Sequence, residues 1–303
     1  MPIKIPDSLP ARGILEKENI FVMTEFRAIT QDIRPLRLLI LNLMPTKIAT
    51  ETQLLRKLSN SPLQVEIDLL RTISYKSKNT DIGHLESFYR SFEQIRDIRY
   101  DGMIITGAPV ENLDFEAVDY WQELAQIMDW SARNVHSTLH ICWGAMAGLY
   151  HHFGIKKHAL PNKISGVFAH AVIKPNSPLF RGFDDCFLAP HSRHCQILAE
   201  DIAKIPALEL MAISDIAGVF AAKTKNSNQF FVLGHPEYER DTLAQEYRRD
   251  LNQGLNPAIP ANYFPEDNPE NPPRATWLSH AQLLYTNWLN YYVYQTTPYD
   301  LYD

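Results

Sequence analysis

Cys142 stands where a strand-like run meets a run of small residues, in Ser137-Thr-Leu-His-Ile-Cys-Trp-Gly-Ala-Met-Ala-Gly148. Thr138 to Ile141 is β-rich; Gly144, Ala145, Ala147 and Gly148 follow, and the pattern then reads as helix. A thiol on such a strand-to-helix turn is lifted clear of the sheet, and the small residues let the helix pack beside it. The unpaired N–H groups and positive dipole end of the new helix favour thiolate over thiol. The competing reading is a structural cysteine buried at a strand end. A second apolar run, in Phe230-Phe-Val-Leu-Gly-His-Pro-Glu-Tyr-Glu239, also stops at a polar turn. It delivers His235 and Glu237, with Pro236 stiffening the backbone between them. A cysteine nucleophile needs a base to take its proton, and the base needs an acceptor to fix its tautomer. His235 and Glu237 can fill both roles from one loop.

The elements that must position these residues are legible in the hydrophobic periodicity. Leu36 to Leu43 is a nearly continuous apolar run, the pattern of a strand covered on both faces. Thr50 to Leu58 reads as helix, Leu63 to Leu70 as strand, Leu85 to Ile95 as helix and Tyr100 to Thr106 as strand, broken by Gly107-Ala-Pro109. Asp114 to Trp130 reads as a helix with Val118, Trp121, Leu124, Ala125 and Met128 on one side, before the Cys142 strand and its helix. This β–α alternation predicts an α/β fold with a doubly wound, mostly parallel, flavodoxin-like sheet. In such sheets the site lies beyond the carboxyl ends of the strands. Lys47, Glu111, Cys142 and His235 all follow predicted strand ends.

The second half is less regular. Residues 158–225 read as short strands and loops, extra β structure on the same domain. Asp241 to Gly254 reads as a helix carrying Arg248 and Arg249, 256–274 as a Pro-rich irregular segment, and Thr276 to Gln295 as a last helix. Its stripe of Trp277, Ala281, Leu284 and Trp288 suits packing on this subunit or a neighbour, and as an exposed aromatic stripe it is compatible with a homodimer. The expected organisation is one domain over 1–303, with an extension at 1–34.

The formal net charge of −6 and the lack of a long Lys/Arg run give no reason to expect nucleic-acid binding. No stretch approaches the ~20 apolar residues of a membrane span, and the opening residues carry no apolar signal core. Three cysteines, Cys142, Cys186 and Cys195, form no CxxC pair and suggest neither a disulfide framework nor a thiolate zinc site. The expected location is the cytoplasm, where a thiol stays reduced. His191-Ser-Arg-His-Cys195 has no ordered ligand spacing shared with a second cluster, so no metal is expected; the roles of His191, His194 and Cys195 stay open. The pairs His151-His152 and Asp184-Asp185 read as helix-end and loop residues.

With Asn42-Leu-Met-Pro-Thr-Lys47, Gly107-Ala-Pro-Val-Glu111, His140-Ile-Cys-Trp-Gly144 and Gly234-His-Pro-Glu-Tyr238 together, the chain resembles the homoserine O-acyltransferases. These are the O-succinyltransferases and O-acetyltransferases related to class I glutamine amidotransferases. The similarity runs from the Pro6 to Arg12 opening to the Trp277 helix. The resemblance implies a Cys142 acyl-enzyme, His235 as base and Glu237 completing the triad. It places Lys47 and the Trp143 N–H at the oxyanion, and Lys163, Ser192 and Arg249 on the substrate. It also implies that Glu111, with Ser192, sets acyl choice: a Glu at this position goes with acetyl transfer and a Gly with succinyl transfer. The implied reaction passes acetyl from acetyl-CoA to the hydroxyl of L-homoserine on the way to methionine, with acetyl-CoA as co-substrate and no cofactor. Alternatives are succinyl-CoA as donor, a glutaminase-type hydrolase, and a non-catalytic scaffold. Against the glutaminase, His140 stands where that elbow has Gly, and no synthetase domain is present.

Overall fold

The computed structural model describes residues 3–5, 22–24, 35–74 and 82–298. Strands β1 (Ile3–Ile5) and β2 (Val22–Thr24) pair in parallel as a sheet of their own. The Pro6 to Arg12 opening and most of the expected extension lie outside the described residues.

The main sheet is built from β3 (Leu36–Leu41), β4 (Val65–Leu70), β5 (Tyr89–Arg90), β6 (Tyr100–Ile105), β7 (Val135–Ile141), β8 (His158–Val172), β9 (Cys186–Gln196), β10 (Leu208–Ser214), β11 (Gly218–Thr224) and β12 (Gln229–Val232). Its order is β5-β4-β3-β6-β7-β12-β11-β10-β8-β9. The stretch from β5 to β12 is parallel, and the remainder is antiparallel. The chain winds outward from β3 to β5, then returns to β6 and continues the other way. The expected doubly wound sheet is present, and the turns after β3 and β6 flank its switch point.

Strand alternation supplies both cores. Leu39 and Leu41 of β3 pack on one face with Leu124, Ile127 and Met128 of α4 (Trp121–Asn134) and with Met146 and Leu149 of α5 (Trp143–Phe153). Leu38 and Ile40 pack on the other with Leu54 and Leu58 of α1 (Lys47–Ser59) and with Leu284 of α8 (Leu278–Asn287). Each buried leucine contributes roughly 1.5–3 kcal/mol. The other α-helices among the described residues are α2 (Ile82–Phe88), α3 (Phe92–Ile95), α6 (Ala199–Ala203) and α7 (Thr242–Asn252), and α8 continues as a π-helix over Trp288–Tyr294.

Four expectations change. The helix expected over 85–95 is split into α2 and α3 around β5, because Tyr89 and Arg90 pair with β4 and Ser91 with Gln94 forms a capping box that starts a new helix. The helix expected from Asp114 starts at Trp121, after a 3₁₀ turn over Phe115–Ala117. Phe115, Val118, Tyr120 and Trp121 are all buried, a wider arc than one helix face can turn inward. Residues 158–225 hold long strands rather than short ones: β8 spans 15 residues and absorbs Pro161 in an irregularity between Ala159 and Ile164. The stripe of Trp277, Ala281, Leu284 and Trp288 is buried within the subunit, so it presents no exposed face to a second copy.

Candidate active site

Cys142 and His235 meet because β7 and β12 are parallel neighbours in register, Ile141 opposite Val232. The Cys142 N–H donates to the Val232 carbonyl at 2.7 Å, which ties the two strand ends together. Cys142 itself has φ 49° and ψ −115°. This left-handed backbone costs a non-glycine residue on the order of 1–3 kcal/mol, and such outliers gather at reactive turns. The expected elbow is therefore present, with Cys142 as the residue before the first turn of α5. The turn is possible because Gly144 touches β6 directly: a Cβ there would lie 2.5 Å from the Thr106 carbonyl oxygen. Gly107 likewise lets the turn after β6 approach, since its Cβ would lie 3.3 Å from the Cys142 Cβ and 3.7 Å from the Trp143 N.

His235 is buried, with its side chain hydrogen-bonded to Cys142 and its Nδ1 2.7 Å from Glu237 Oε1. Its backbone N–H donates to the Pro190 carbonyl at 2.9 Å, and its ring stacks on Tyr238 at 4.1 Å. Burial alone would push the imidazole down. The negative charge available on Cys142 and Glu237 outweighs it and holds His235 well above the ordinary histidine range. Glu237 is buried behind the ring, and its Oε2 accepts no hydrogen bond among the described residues.

Cys142 and His235 open on a cavity of about 190 Å³ whose walls include Gly107, Glu111, Lys163, Ser192, His194, Tyr238, Glu246 and Arg249. Of the expected substrate residues, Lys163, Ser192 and Arg249 are all brought here. Two residues that sequence reasoning missed hold them. Asp250 accepts from Lys163 Nζ at 2.9 Å and from Arg249 Nε at 2.8 Å. Glu246 accepts from the Ser192 hydroxyl at 2.5 Å and from the Tyr238 hydroxyl at 2.6 Å. Glu246, Arg249 and Asp250 stand at i, i+3 and i+4 on α7, a polar spacing that could have flagged one shared face.

Glu111 lines the same cavity. Its Oε2 accepts the N–H of His194 at 2.5 Å and of Cys195 at 3.2 Å, so its charge is fixed against β9. His191 is paired with His170 through their Nε2 atoms at 2.9 Å and is buried away from the cavity. The segment 191–195 thus does not converge on one point. Among the described residues, three ligand-type side chains do come together at Asp129, His151 and His152, two of them at the far end of α5 from Cys142. No helix among the described residues is long and apolar enough to cross a membrane.

Lys47 is not brought to the Cys142 cavity. Its ammonium donates to the carbonyls of Asn42 at 2.6 Å and Met44 at 3.4 Å and lines a neighbouring cavity. Burial lowers it to about 8, against the pull of Glu51. The backbone N–H that stays beside the thiol is that of Trp143, at the start of α5 where no intrahelical acceptor exists.

A strained cysteine elbow and a neighbouring His–Glu pair stand on a mostly parallel α/β sheet whose fold is like that of glutamine amidotransferases. A glutamine amidotransferase from Thermotoga maritima superposes with a TM-score of 0.57 at 12% identity, over 85% of this chain and 98% of that one. The protein SMU.1228c superposes with a TM-score of 0.58 at 15% identity, over 84% and 99%. The chain belongs to the homoserine O-succinyltransferase family of acyltransferases, whose sequence profile matches residues 2–299. It is 61% identical to the homoserine O-acetyltransferase of Brevibacillus brevis over 99% of this chain and 98% of that one. It is 59% identical to that of Acetivibrio thermocellus, over 99% of both.

Proposed function

We propose that this chain is a cytoplasmic homoserine O-acetyltransferase that works through a Cys142 acetyl thioester and feeds methionine synthesis. The carrying observation is the Cys142–His235–Glu237 row opening on a cavity whose wall is already occupied by the Glu111 carboxylate. The Cys142 sulfur attacks the thioester carbonyl of acetyl-CoA. The tetrahedral oxyanion is met by the Trp143 N–H, while Lys47 adds its charge from across Met44. The carbon–sulfur bond to CoA breaks, and His235 gives its proton to the departing thiolate. Neutral His235 then takes the hydroxyl proton of homoserine as that oxygen attacks the acetyl thioester. Cys142 leaves as thiolate, O-acetylhomoserine departs, and the imidazolium–thiolate pair is restored. A positioned base of this kind is worth typically ~10²–10⁴ in rate.

Arg249 offers a planar fork to the homoserine carboxylate, with Lys163 held beside it by Asp250. Glu111 selects the donor. Its charge and volume oppose the terminal carboxylate of a succinyl chain, and like charges a few Å apart in a partly dry site cost enough for about tenfold or more in preference. Intact-protein mass spectrometry after mixing with acetyl-CoA tests the reading. The expected result is one acetyl group on the wild type and none on Cys142→Ala. Glutamine hydrolysis without acetyl transfer, or no adduct at all, overturns it. Faster labelling by succinyl-CoA would reassign the donor.

A further inference from the structure

We infer that the cavity beside the Cys142 pocket, across Met44 and Pro109, seats the pantetheine arm of the acyl-CoA. This inference rests on the acyl-CoA reading above. The cavity encloses about 120 Å³ and shares Met44 and Pro109 with the pocket that holds Cys142, so the two adjoin there. Its remaining wall combines apolar Leu43, Val110 and Leu113 with the cations Lys47 and Arg71 and the anion Asp119.

Three features ask for an occupant. The Nε of Arg71 is buried and meets no acceptor among the described residues. A buried donor left unpaired is costly, and a ligand oxygen would relieve that cost. Lys47 places two donors on the Asn42 and Met44 carbonyls, and its ammonium carries three. Leu113 is 47% exposed at the rim, an apolar side chain without cover.

Pantetheine matches this wall. Its short alkyl runs suit the leucines and valine. Its amide carbonyls offer the acceptors that Arg71 lacks. The phosphates that follow toward solvent carry charge of the sign that Lys47 and Arg71 attract. Homoserine matches less well, because the residues suited to its carboxylate, Arg249 and Lys163, line the other pocket.

The test compares acetyl-CoA with acetyl-N-acetylcysteamine, a truncated thioester lacking most of the arm and all phosphates, in Arg71→Gln and Leu113→Trp. The expected result is a KM for acetyl-CoA raised about tenfold in Arg71→Gln and further in Leu113→Trp. The kcat, the homoserine KM and the kinetics with the truncated thioester should stay within about twofold of wild type. An unchanged acetyl-CoA KM in both variants overturns the inference, as does an equal loss with both thioesters, which would mark a general disturbance. A wild type that forms no Cys142 adduct with either thioester would instead defeat the acyl-transfer reading itself.

Discussion

Replacing Glu237 by Gln removes a charge from the site and little volume. Glu237 Oε1 accepts from His235 Nδ1 at 2.7 Å, and both side chains are buried. A hydrogen bond to a charged partner contributes about 1.5–3 kcal/mol, and each 1.36 kcal/mol on a barrier is tenfold in rate. Loss of the charge alone therefore costs about 10- to 100-fold. If the amide turns its NH₂ toward Nδ1, the imidazole must carry its proton on Nε2, where it cannot receive one from homoserine. The comparable carboxylate-to-amide change in serine proteases costs ~10⁴. The expected fall in kcat for Glu237→Gln is thus about 10²–10⁴. Both KM values should hold within a few-fold, because Glu237 does not line the Cys142 cavity. Stability supplies a second readout. His235 is raised in the folded protein, so its contribution is fully present below about pH 6.5 and is lost as pH rises through the raised value. The melting-temperature deficit of the variant should be largest below about pH 6.5 and shrink in alkali. A kcat within tenfold of wild type, or a deficit that grows with pH, would refute this account of the pair.

Glu111→Gly frees the His194 and Cys195 N–H groups and opens space beside Cys142, so the ratio of succinyl-CoA to acetyl-CoA use should rise at least about tenfold; an unchanged ratio in competition assays would defeat the donor assignment. Arg249→Lys keeps the charge and loses the planar fork, so the homoserine KM should rise roughly tenfold with little change in kcat. Asp250→Asn should act in the same direction by releasing both Lys163 and Arg249, and an unaltered homoserine KM in both would remove them from the substrate site. Gly144→Ala would push a Cβ to 2.5 Å from the Thr106 carbonyl and 2.9 Å from that of Ile105. Backbone cannot yield as a flexible side chain can, so a loss of about 1–3 kcal/mol or more is expected in urea unfolding; a wild-type midpoint would contradict the packing described.

The parallel half of the sheet was legible because its signals are local. The apolar run at Leu36 and the switch from β pattern to small residues at Cys142 each depend on a few neighbouring side chains. The split at Tyr89 and Arg90 was not legible, since those residues become a strand only through pairing with Leu69 and Leu70. The length of β8 was hidden for a related reason. Pro161 and Gly166 read as breaks in isolation, whereas ladder pairing with β9 carries the strand past both.

The sequence by itself determined which side chains could be nucleophile, base and acceptor, and that each follows a strand end on one edge of a parallel sheet. Turn chemistry and hydrophobic period are written in short windows, so they survive without coordinates. Only the tertiary structure decided that Glu246 and Asp250 hold Ser192, Lys163 and Arg249 and that the Trp277 stripe faces inward. It also decided that Lys47 donates to the carbonyls of Asn42 and Met44 and lines the cavity next to the thiol's pocket. Those outcomes depend on which distant groups compete for one donor or one apolar face, and that competition exists only once the strands have been brought side by side.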